Sequence, residues 1–105
     1  MTVDPDGIRR ASLAYVAAYM APESDESLAA CEQAHSELSI AMGVRGDGSG
    51  FDYEAAEMAD SGAHALLDAD EAGMPLEPLI ESLIRSAISW EAERVDAEAA
   101  PSGGS

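Results

Sequence analysis

The 105-residue sequence has no lysine, one cysteine and one threonine, few aromatic side chains and no long apolar run. Each absence excludes something. Five arginines against 21 acids leave a formal net charge of −16, a field that repels nucleic-acid phosphates and anionic lipid headgroups. Direct binding to DNA, RNA or a membrane through a basic patch is thereby excluded for most of the surface. The lone Cys31 forms no intramolecular disulfide and no multi-cysteine zinc site, so the expected compartment is the cytoplasm. No stretch reaches the roughly 18 apolar residues of a bilayer span. Asp4 and Asp6, which precede Arg9 and Arg10, are unlike a secretory leader.

What is present is alanine, 21 residues of it, beside 27 larger apolar side chains. A folded monomer of this mass exposes about 5,600 Å² and has room for one small domain with a thin aliphatic core. Periodicity predicts four helices and no strand. Asp4-Pro5 opens the first, whose apolar run from Ile8 to Met20 stops at Ala21-Pro22. Ser24 or Asp25 caps the second, where Leu28, Cys31, His35, Leu38 and Met42 form one row that Gly43 ends. Residues 43–50, GVRGDGSG, read as a glycine-rich loop. Asp52 is the expected cap of a third helix from Tyr53 to about Ala72. The fourth opens near Pro75, carries the wide apolar arc Leu76, Leu79, Ile80, Leu83, Ile84, Ala87 and Ile88, and fades near Val95. The expectation is an all-α bundle, two helical hairpins joined by the loop, forming a single helical domain over residues 1–96 with a disordered tail over 97–105.

Three constellations carry conceivable chemistry. Glu32 and His35 have the Glu-x-x-His spacing of di-iron bundles, but one copy without facing glutamates is better read as a hydrogen-bonded histidine beside a solvated acid. On the third helix Glu57, Asp60, His64, Asp68 and Glu71 share a stripe opposite Ala55, Ala59, Ala63, Leu66 and Leu67. A cation bridging Asp60, His64 and Asp68 would need ligands from a second element, and none is nominated, so neither a metal nor another cofactor is expected. Residues 68–79 have the glycine turn and apolar anchor of a helix-turn-helix, yet Glu77 and Glu81 stand where bases would be read, and a plain helical hairpin explains the same residues.

No nucleophile motif or phosphate loop is present, and a thin core leaves little room for an active-site pocket, so no enzyme is expected. The reading that remains is an acidic interaction protein that binds a basic protein partner, by analogy of charge with phage-type inhibitors and nucleic-acid mimics. Glu57, Asp60, Asp68, Asp70 and Glu71 are the densest acidic cluster and the expected contact. The alternatives are a helix-turn-helix-shaped regulator or antitoxin, and a small homo-oligomeric assembly component such as a phage accessory protein. The apolar arc of the fourth helix and the Leu28–Met42 row together predict a homodimer.

Overall fold

A computed structural model describes residues 3–46 and 50–99 and places four helices in them: α1 (Pro5–Met20), α2 (Asp25–Ala41), α3 (Gly50–Glu71) and α4 (Glu77–Ala99). The described residues contain no strand. Pro5 starts α1 at the one turn where a missing N–H is harmless, and Pro22 holds Ala21 in extended backbone and stops it. Ser24 begins α2 with a capping box: its hydroxyl accepts from the Ser27 amide at 3.1 Å, and Ser27 Oγ accepts from the Ser24 amide at 2.9 Å. Both α2 and α3 end on a glycine at positive φ, Gly43 at 108° and Gly73 at 73°. The Val44 amide donates to Ser39 O at 3.1 Å, and the Met74 amide to Ala69 O at 2.8 Å. These are paired Schellman closures, and they satisfy carbonyls that a fraying end would expose.

Three boundaries differ from expectation. α3 begins at Gly50, so Asp52 lies inside its first turn. From there its carboxylate reaches back to accept from the Arg45 and Gly46 amides, the latter at 2.9 Å. The connection between α2 and α3 is therefore residues 42–49, the expected eight-residue length moved back by one position, and positions 47–49 lie outside the described residues. α4 starts at Glu77 and runs to Ala99, which makes residues 97–99 helical instead of tail. The remainder of the expected tail lies outside the described residues.

Packing follows from small residues. α1 packs on each of the other three helices, while α2 and α4 share no packed face. The core takes Ile8, Ala11 and Val16 from α1, Leu38 from α2, Ala59, Ala63 and Leu66 from α3, and Ile80, Ile84 and Ala87 from α4. Gly62 lets the Leu83 side chain of α4 pack directly on the α3 backbone, since a Cβ there would overlap it. Farther along, the Phe51 and Trp90 rings meet with centroids 5.3 Å apart, so the two helices run antiparallel along their lengths. Residues 68–79 are thus the turn of a hairpin, unlike the steeply crossed pair of a helix-turn-helix. The apolar arc of α4 is largely consumed: Ile80, Ile84 and Ala87 are buried and Leu76, Leu79 and Leu83 half-buried.

The molecule is elongated, 56 × 27 × 19 Å, with a radius of gyration of 15.1 Å where a compact chain of this length gives about 13 Å. Its accessible surface of 6242 Å² correspondingly exceeds the expected value of about 5,600 Å².

Candidate functional site

The outer stripe of α3 forms as its spacing predicts. Ala55, Ala59, Ala63 and Leu66 are buried against the bundle, which turns Glu57, Asp60, His64, Asp68 and Glu71 outward, all exposed. Asp70 departs from the other four members of the expected cluster. Two residues on from Asp68, it points toward the other side of the helix and is half-buried.

Asp60 is more than a solvated acid. His35 Nε2 of α2 lies 3.3 Å from its Oδ1, and because a carboxylate only accepts, that nitrogen carries the proton. His64 Nδ1 donates to the Asp60 carbonyl at 2.9 Å. Asp60 therefore links α2 to α3 with a histidine on either side. The His35 ring also packs against Tyr15 of α1, centroids 5.9 Å apart, and Tyr15 against Tyr19 at 6.4 Å. Burial, reinforced by Cys31, Tyr19 and Asp60, pushes the Tyr15 phenol above its ordinary pKa. Glu32 is exposed and borders the same open cleft as Tyr15, Cys31 and His35. Among the described residues, no group of three or more His, Cys, Asp or Glu side chains is arranged to hold a metal ion.

Three of the five arginines tie separate elements together, while Arg10 and Arg85 are exposed. Arg9 pairs with Glu77 and Glu81 and ties α1 to α4. At the end of the bundle where the loop lies, Arg45 donates to Glu91 at 3.0 Å and to Glu98 at 3.1 Å. Partial desolvation lowers the Arg45 pKa, but the two carboxylates outweigh it and raise the value above its ordinary one. Arg94, only 1% exposed, donates from Nη1 to Gly43 O at 3.0 Å and sits 6.0 Å from the Phe51 ring centroid. Trp90 Nε1 donates to Phe51 O at 3.2 Å. Asp52 and Glu91 are buried in the same cluster, which fastens the loop to α4. Sequence reasoning missed this cluster because its members lie up to 53 positions apart and in no periodic relation. The one available signal was the pair of isolated arginines at 45 and 94 in a chain nearly devoid of cations.

Beside the acidic stripe, α3 and α4 enclose an open groove of about 400 Å³. Met58, Gly62, Ala65, Leu79 and Leu83 line it, with Glu54 and Glu57 on the α3 side and Ser82 and Ser86 on the α4 side. Glu57 also accepts a hydrogen bond from Tyr53, which raises the pKa of that exposed phenol. No helix among the described residues is long and apolar enough to cross a membrane. Comparison with protein families, curated proteins and solved structures finds none that matches this chain.

Proposed function

We propose that the protein is a non-enzymatic acidic helical module that binds a basic protein partner through the outer face of α3. The supporting observation is that three of its five cations are engaged in contacts within the molecule. Arg9, Arg45 and Arg94 are spent on contacts between helices, while sixteen of the twenty acids in the described residues remain exposed. A predominantly negative surface steers basic partners toward it and speeds association more than it deepens affinity. Glu57, Asp68 and Glu71 make the contact, with Asp60 held in place by His35, and half-buried Asp70 adds to the field. By analogy of charge alone the module is read as a phage-type inhibitor or nucleic-acid mimic, and the proposed compartment is the cytoplasm. A homodimer belongs to this reading as well. It rests on the apolar side chains still exposed on α1 and at the start of α2, namely Leu13, Tyr19, Met20 and Leu28.

The test is a pull-down from source-cell lysate with wild-type and Glu57→Lys/Asp68→Lys baits, followed by kinetics on the recovered protein. A basic partner that salt releases and that associates more slowly with the variant supports the reading. Equal association rates at low salt refute it. Light scattering that shows a monomer at high concentration and moderate salt removes the dimer.

A further inference from the structure

We propose that the α3–α4 groove is where the basic partner is gripped, and that what it holds is an amphipathic helix: a row of aliphatic side chains inserted between α3 and α4, with lysine or arginine along one flank. This rests on the acidic-interaction reading and gives that surface a shape as well as a charge. The floor is apolar, formed by Met58, Ala65, Leu79 and Leu83, and at mid-length the Leu83 side chain occupies the place a Cβ would take at Gly62, closing the floor against α3. From Glu54 to Ala65 it extends eleven residues along α3, about 16 Å or three helical turns. A trough of that length between two antiparallel helices matches the ridge of a third helix, whose anchors recur at i, i+3, i+4 and i+7.

The two banks differ. Glu54 and Glu57 stand on the α3 bank, whereas the α4 bank offers the hydroxyls of Ser82 and Ser86, with exposed Arg85 close by in sequence. The partner's cations therefore belong on its α3-facing edge, which fixes the orientation of the helix. Glu57 is shared between the groove and the acidic stripe, so a bound basic helix engages both at once. A second copy of this chain is a poor occupant, because it carries −16 and no lysine to set against Glu54 and Glu57.

The test uses a synthetic helical peptide of leucine and lysine in the i, i+3, i+4, i+7 pattern, a scrambled peptide of the same composition, and methyl NMR of the full chain. The patterned peptide is expected to shift the methyl signals of Met58, Leu79 and Leu83, and the scrambled one to leave them in place. Ser82→Trp fills the groove without changing charge and is expected to weaken patterned-peptide binding at least about tenfold. Ala65→Phe does the same from the other bank and serves if the first variant misfolds. Unmoved methyl signals, or equal affinity in the filled variants, would show that peptides are held by charge alone. That overturns the groove and leaves the acidic-surface reading standing, since the latter is judged by association with the native partner. Shifts of the same methyls with protein concentration and no peptide would assign the groove to a second copy, and would equally overturn the proposal.

Discussion

Replacing Arg94 with methionine removes a charge from a buried polar contact while keeping most of the side-chain volume. At 1% exposure the guanidinium donates to the buried Gly43 carbonyl and lies against Phe51. A hydrogen bond from a charged donor contributes about 1.5–3 kcal/mol, and a desolvated cation over a ring on the order of 1 kcal/mol more. Against this, methionine carries no desolvation penalty and buries well. Glu98, 53% exposed and 3.4 Å from Arg94 Nε, keeps its bond to Arg45 and is open to water when Arg94 is replaced. That keeps the loss below the roughly 3–5 kcal/mol typical of a one-sided break in a fully buried pair. The expected destabilisation is about 2–3 kcal/mol, or roughly 10–20 °C in Tm for a domain of this size.

Removing any arginine also deepens the self-repulsion of a chain at −16. The assay is therefore urea unfolding followed by circular dichroism at low salt and again at 1 M, where the screening length falls to about 3 Å. Arg85→Met, at an exposed site on α4, changes net charge by the same amount and is the control. The Arg94→Met loss should survive high salt and exceed the control throughout. A loss under about 0.5 kcal/mol, or one that vanishes at 1 M salt, would refute the local account.

Ser12→Ala should stabilise the protein by roughly 0.5–2 kcal/mol, because the Ser12 hydroxyl is fully buried in α1 without a hydrogen-bond partner; denaturant midpoints check it. Gly73→Ala should cost about 1–2 kcal/mol, since φ is 73° and nothing lies near the added methyl, so the loss is purely conformational. The raised phenol of Tyr15 means that the folded state holds its proton more tightly than the unfolded chain does. Its contribution is complete below the ordinary tyrosine pKa and declines as pH rises through the folded value. Alkaline unfolding measured on wild type and Tyr15→Phe should show the extra loss above about pH 10 only in the wild type.

The fold was readable wherever signals were local. The Asp4-Pro5 start, Ser24, Gly43 and Gly73 act within a turn of themselves, and the helix bounds near them agree with the structure. Asp52 was misread for a physical reason. A carboxylate near a helix start stands equally well at the cap position or inside the first turn, and its role as an anchor for the preceding loop shows only in the folded position of Arg45 and Gly46. The acidic stripe of α3 was visible because period 3.6 separates it from the alanines. Asp60's bond to His35 was not, since it depends on how α2 and α3 align. The surplus of apolar surface was overestimated from the arc of α4. Alanine and glycine bring α1 and α3 close enough to cover most of it.

The most direct measurement for the central claim is the association rate of the recovered partner with wild type and with Glu57→Lys/Asp68→Lys, followed from low salt to 1 M. Both residues are exposed, and reversing them leaves the fold intact. If the negative face of α3 steers the partner, wild type associates several-fold faster at low salt, and the two rates converge as screening shortens from about 10 Å at 0.1 M to about 3 Å at 1 M. Identical rates across the whole series would show that the acidity serves solubility alone, and would contradict the account.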